Sequence, residues 1–125
     1  MNEINILIAD DHRMFREGIS ALLKQEDNIS IVGEAGSLNE IMDVLTTNKA
    51  DIILMDIDLD NSSGIDATKE VVEKYPNTKV LALSMHDESN YIVKMLDAGA
   101  TGYILKNTGR EEMISAIKTV VAGDS

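Results

Sequence analysis

The sequence predicts a doubly wound α/β domain: five parallel strands in one sheet, helices on both faces, in a repeated βα order. Two observations carry this. Short apolar runs alternate five times with segments whose apolar residues recur at the helical period. Three of the runs are nearly continuous in Ile, Leu, Val, Met and Ala, as expected of strands covered on both faces. The length of 125 residues fits a single domain, 1–125, with enough chain for a core that needs no staples.

The first strand is predicted over 4–9 (INILIA), followed by a helical stripe of Phe15, Ile19, Leu22 and Leu23. The second strand, 29–35 (ISIVGEA), leads to the stripe Leu38, Ile41, Met42 and Leu45, opened by the capping box Ser37-x-x-Glu40. The third, 51–56 (DIILMD), runs through an acidic loop to Gly64, which allows a tight turn into a helix over 64–75 carrying Ile65, Val71 and Val72. Pro76 forbids its continuation. The fourth strand, 79–84 (KVLALS), precedes Ile92, Met95 and Leu96. The fifth, 101–106 (TGYILK), precedes a second capping box, Thr108-x-x-Glu111, and the stripe Met113, Ile114, Ile117, Val120 and Val121, which Gly123 stops. Met14, Met42, Met95 and Met113 fall at helical spacing and read as core filler.

Composition excludes several functions. There is no cysteine, hence no disulfide or thiolate metal site, which fits a cytoplasmic protein. The net charge of -11 and the lack of any dense Lys/Arg run argue against direct nucleic-acid binding, and one Phe, three Tyr and no Trp offer no stacking platform. The start MNEINILIAD lacks the features of a signal peptide, and no apolar stretch is long enough for a membrane span, so no membrane partner is expected.

In a doubly wound sheet, ligands sit beyond the carboxyl ends of the strands. The residues there are Asp10 and Asp11, Asp56, Ser84 and Lys106. Three carboxylates from two neighbouring central strands repel one another unless a cation intervenes, and Mg²⁺ is the economical choice, with the backbone carbonyl of a loop residue such as Asp58 as a further ligand. Alternatively, Asp10 or Asp11 caps the helix that follows. Carboxylates, a hydroxyl and an amine on one edge are what a phosphoryl group needs: a nucleophile, a metal, and donors for the remaining oxygens. In strand five, Tyr103 reads from pattern alone as a packing residue.

With these positions in view, the chain resembles a response-regulator receiver domain over its full length, and DDHRMFREGISALL and LSMHDESNYIVKMLDAGATGYILKN resemble the NarL/FixJ-like subfamily, whose output is a LuxR-type helix-turn-helix. The resemblance implies a flavodoxin-like (βα)5 fold with strand order 2-1-3-4-5. Asp10 and Asp11 match the acidic pair and Asp56 the phosphoacceptor. Ser84 and Tyr103 match the two switch residues, and Lys106 the lysine. The resemblance further implies a switch: a cognate sensor histidine kinase supplies a phosphohistidine, Asp56 attacks its phosphorus with Mg²⁺ (or Mn²⁺) bound, and the conformational change controls homodimerisation. The chain would then continue into a C-terminal helix-turn-helix domain, its only route to DNA.

Asp60 stands where the family usually has proline, which predicts a more flexible, more acidic loop. Asp58 and His86 each lie two residues beyond a matched position and resemble sites that tune the aspartyl-phosphate lifetime. A carboxylate about 4 Å from phosphoryl oxygens would cost on the order of 1–4 kcal/mol before metal compensation. The rival enzyme reading takes Asp56-x-Asp58 as the DxD of a haloacid-dehalogenase-like phosphatase, though that motif here follows the third strand rather than the first. A flavin-binding module lacks a hydroxyl-rich phosphate loop after strand one. A degenerate, interaction-only receiver is opposed by the complete set Asp11, Asp56, Ser84 and Lys106.

Overall fold

The computed structural model describes residues 3–85 and 89–123. The five predicted strands are present as β1 (Ile4–Ala9), β2 (Ile29–Ala35), β3 (Ile52–Asp56), β4 (Lys79–Ser84) and β5 (Gly102–Leu105). They form one parallel sheet in the order β2-β1-β3-β4-β5. Between and after them run α1 (Arg13–Leu23), α2 (Leu38–Thr47), α3 (Gly64–Lys74), α4 (Ser89–Ala98) and α5 (Arg110–Val121). This is the flavodoxin-like doubly wound fold, and β1 and β3 flank the point where strand order reverses.

Successive side chains on a strand point to opposite faces, so each central strand feeds two cores. Leu7, Ala9, Ile53, Met55, Val80 and Ala82 face one way and pack with Ile41, Val71 and Met95 of α2, α3 and α4. Ile6, Ile8, Ile52, Leu54, Leu81 and Leu83 face the other and pack with Leu23, Met113 and Ile117 of α1 and α5. Each fully buried Ile or Leu contributes about 1.5–3 kcal/mol relative to exposure, so the unbroken apolar runs are explained by burial on both sides. No described helix is long and apolar enough to cross a membrane.

Several local expectations are corrected. Thr108 does not cap α5: the N-cap is Gly109, without a side-chain bond, while the Thr108 N–H donates to the Leu105 carbonyl in the turn that precedes it. The start is thus set one residue later, with Glu111 and Glu112 placed favourably in the first turn. Met14 is no core filler; it is 88 % exposed, because the inward stripe of α1 is Phe15, Ile19, Leu22 and Leu23 and Met14 lies off it. Leu96, expected on the inner stripe of α4, is exposed as well. The other box is real: Ser37 Oγ accepts the Glu40 N–H, and the Glu40 carboxylate reaches back to the Gly36 N–H.

The acidic loop after β3 holds an element that was not expected, a two-stranded antiparallel ribbon of Asp58–Leu59 with Ser62–Ser63. Its tight turn is made by Asn61 at φ 61°, a left-handed conformation that Asn tolerates. Gly64 does not supply that turn. It is required by close approach, since a Cβ there would sit 1.9 Å from the Asp56 carbonyl oxygen. Nor is the loop loose where proline is replaced: the Asp60 N–H donates to the Gly36 carbonyl at 2.8 Å, a bond proline cannot make. Ser63 then caps α3 through the Asp66 N–H. At the chain's far end, Gly123 at φ 87° follows the last turn of α5, as expected.

Candidate functional site

The sheet order brings the ends of β1, β3, β4 and β5 side by side, and with them most of the predicted residues. Asp10 follows β1, Asp56 ends β3, Ser84 ends β4 and Lys106 follows β5; all four are buried. Asp10 is held through backbone and side chain: its N–H donates to the Ala35 carbonyl, its carbonyl accepts Arg16 Nη1 at 2.6 Å, and its Oδ1 accepts the His12 N–H at 2.7 Å. The capping alternative is therefore realised in part, because His12 is the N-cap of α1 and one oxygen of Asp10 serves its backbone. The other oxygen, Oδ2, faces Lys106 Nζ at 2.6 Å.

Lys106 also lies 3.2 Å from Asp56 Oδ2, while Asp56 Oδ1 accepts the N–H of Ile57 at 2.9 Å. One ammonium thus stands between two buried carboxylates. Burial pushes the Asp56 carboxyl up to about 7, the negative charge of Asp10 adds to the rise, and the charge and hydrogen bond of Lys106 with the Ile57 N–H offset part of it. Burial pulls Lys106 down, yet the hydrogen bond it donates to Asp10 and the charges of both acids outweigh it and leave the amine above its ordinary value. The Lys106 N–H donates to the Ser84 carbonyl at 2.7 Å, tying the ends of β4 and β5 together.

The cluster fits a hard divalent cation. Ligand atoms of Asp10, Asp11, His12 and Asp56 all lie within 4.8 Å of one another. Asp10 Oδ2 and Asp56 Oδ2 are buried and share the one ammonium of Lys106, and Asp11 Oδ1 is buried beside His12 Nδ1, so each oxygen keeps acceptor capacity. Carboxylate oxygens with acceptor capacity to spare are the donors Mg²⁺ prefers.

Other predicted residues lie apart. The Asp58 side chain is exposed in the ribbon and outside the carboxylate cluster, so Asp56 and Asp58 do not form the convergent pair of a DxD phosphatase. Tyr103 sits on β5 with 48 % exposure, turned out from the packed faces. His86 lies outside the described residues. A cavity of about 510 Å³ occupies the opposite end of the molecule, between the carboxyl ends of α2 and α3. Its lining contains no acid, so the hollow and the chemistry are separate.

Three neighbours of the cluster were given no part in the site from sequence. His12 Nδ1 lies 3.1 Å from Asp11 Oδ1 and 3.2 Å from Asp10 Oδ1. Arg16, six residues further along the chain, holds the Asp10 carbonyl. Phe15, read as a core residue, places its ring centroid 4.6 Å from Lys106 Nζ. Only the sequence proximity of all three to Asp10 and Asp11 could have pointed to them.

The fold and this edge define a class: a flavodoxin-like domain with a buried cluster of carboxylates and one lysine at the carboxyl end of its sheet. More narrowly, the chain belongs to the response regulator receiver domain family, whose model matches residues 6–118. The transcriptional regulatory protein DegU of Brevibacillus brevis is 37 % identical over 122 residues, 98 % of this chain and 52 % of that protein. The oxygen regulatory protein NreC of Staphylococcus carnosus is 39 % identical over 98 % of this chain and 57 % of that protein. Among solved structures, a LuxR-family two-component response regulator from Aurantimonas sp. SI85-9A1 is 30 % identical with a TM-score of 0.91, covering 98 % of this chain and 88 % of that one. The subfamily is thus the NarL and LuxR type. The chain spans about half the length of the curated relatives it matches.

Proposed function

We propose that this receiver takes a phosphoryl group onto Asp56 from the phosphohistidine of a cognate sensor histidine kinase. The observation that carries the reading is the buried Asp56 at the end of a central strand, in contact with Lys106 and within reach of Asp10 and Asp11. A carboxylate oxygen of Asp56 attacks phosphorus as the P–N bond breaks. The electron pair of that bond stays with the imidazole nitrogen, which takes up a proton. Lys106 offsets charge on the phosphoryl oxygens, and water is limited by the burial of all its partners. Asp10, Asp11, Asp56 and the Asp58 carbonyl would hold Mg²⁺ (or Mn²⁺), which supplies charge neutralisation between the nucleophile and the incoming phosphoryl group.

After transfer, the hydroxyl of Ser84 donates to a phosphoryl oxygen, and Tyr103 moves from its exposed position towards the sheet edge that Ser84 leaves. Phosphorylation acts by favouring one of two arrangements through these differential contacts. The consequence is homodimerisation and control of an attached C-terminal helix-turn-helix domain, in a cytoplasmic protein that meets DNA only through that domain. The share of the curated relatives left uncovered by this chain supports such an extension. Asp58 and His86 tune the phosphoryl lifetime from the rim.

Intact mass after incubation with an acyl phosphate tests the reading. One phosphoryl group, dependent on Mg²⁺ and lost in Asp56→Ala, is expected; a folded, Mg²⁺-binding protein that neither gains mass nor releases phosphate refutes it. Followed over time, the same assay should give Asp58→Asn an altered phosphoryl lifetime, and an unchanged lifetime and metal affinity would remove Asp58 from the tuning role.

A further inference from the structure

The ammonium of Lys106 has three N–H bonds and, in this structure, two anionic partners. Asp10 Oδ2 lies at 2.6 Å and Asp56 Oδ2 at 3.2 Å. The ring of Phe15 lies 4.6 Å from Nζ at its centroid, within the range in which a cation is attracted by the negative face of an aromatic ring. Phe15 is in the first turn of α1, half-buried and packed against the core between that helix and the sheet. Its backbone is therefore fixed by the helix that begins just after Asp10 and Asp11.

We propose that Phe15 is a positioning residue that holds the Lys106 ammonium at the site for phosphoryl transfer. The role rests on the phosphoacceptor reading of Asp56 given above, and it derives from what the two kinds of partner can do. A carboxylate accepts a directed hydrogen bond and pins a donor. A ring face attracts the charge without fixing where the donors point. Transfer needs Lys106 to share its donors with an oxygen of the incoming phosphoryl group, and a ring that retains the ammonium while leaving it free to turn permits that exchange without loss of the cation. An aliphatic side chain of similar size would fill the space and lack this attraction.

The plain alternative is that Phe15 only packs, as its place in the stripe with Ile19, Leu22 and Leu23 allows. Phe15→Leu and Phe15→Tyr separate the two, because both keep an apolar body on α1 and only tyrosine keeps the ring. The first readout needs no phosphoryl group: the proton shift of the Lys106 ε-methylene, assigned by its loss in Lys106→Arg, in the unphosphorylated protein with Mg²⁺. Ring current should displace it upfield in the parent and in Phe15→Tyr, and the displacement should vanish in Phe15→Leu. The second is the rate of phosphorylation by an acyl phosphate, expected to fall about two- to five-fold in Phe15→Leu and to be restored in Phe15→Tyr. Thermal melts of both variants monitor packing.

A Lys106 shift indifferent to the ring, a parental rate in Phe15→Leu, or a tyrosine variant as slow as the leucine one would each overturn the proposal. If the parent itself takes no phosphoryl group, the proposed function is what fails, and the Lys106 shift alone decides whether Phe15 holds the ammonium.

Discussion

At Asp56 the structure places a charge where water cannot easily solvate it, and this fixes the sign of a pH effect. The carboxyl is raised from 3.8 to about 7, chiefly by burial and then by Asp10. Below about pH 4 the group is protonated in folded and unfolded chains alike and contributes nothing. Between about pH 4 and 7 the unfolded chain ionises while the folded one keeps its proton, so folding stability from this residue falls as pH rises, and the whole cost is present above 7. In chelator, Asp56→Asn is therefore expected to exceed the parent in stability at pH 8 by on the order of 4 kcal/mol, with the gap closing towards pH 4. Urea unfolding at several pH values measures it. Since Mg²⁺ binds the ionised form, its affinity should weaken as pH drops from 8 to 6. A pH-independent gap and a flat affinity would mean that Lys106 keeps Asp56 ionised throughout.

At the scale of the element, the loop after β3 is built against the backbone of Asp56. A methyl group at Gly64 would meet the Asp56 carbonyl oxygen at 1.9 Å, and the Gly64 N–H already bonds the Ile57 carbonyl. Gly64→Ala must push β3 and α3 apart, with an expected cost above about 2 kcal/mol and a matching loss of Mg²⁺ affinity. Calorimetric melting and metal titration of this variant check both; a fully stable, metal-binding protein would show the approach to be relaxed easily. Asp60→Pro removes the bond to the Gly36 carbonyl and should cost about 1 kcal/mol. The same loop shows where sequence reading stops. Five strands and five helices were legible because their apolar periods span whole elements. The ribbon was not, since two-residue strands are too short for alternation to register, and Gly64 was read as a turn former where close approach to Asp56 is what requires it. The strand-end rule found Asp10, Asp56, Ser84 and Lys106, because topology alone assembles them. Arg16 and Phe15 escaped it, as their part depends on how far a helical side chain reaches back over the sheet edge.

For the whole molecule, the net charge of -11 opposes any contact between two copies, and the proposed dimer has to overcome it. Apolar surface for such a contact is present: Met85, Tyr91, Val93, Leu96 and Tyr103 are exposed on or beside α4 and β5, the region next to Ser84 and Lys106. Burial of this surface is insensitive to modest salt, whereas the repulsion between two acidic copies is screened over a Debye length of about 8 Å at physiological ionic strength. The phosphorylated protein is therefore expected to dimerise more tightly as salt rises from about 20 to about 200 mM, the reverse of an interface held by complementary charges. Tyr103→Ala should weaken the dimer at every salt concentration while leaving the phosphoryl yield unchanged. Sedimentation equilibrium on the phosphorylated parent and variant reads both. A dimer that loosens with salt would place the interface on charged partners instead, and Arg110 with Glu26, bridging α5 to the loop after α1, marks the surface where such a contact would be sought.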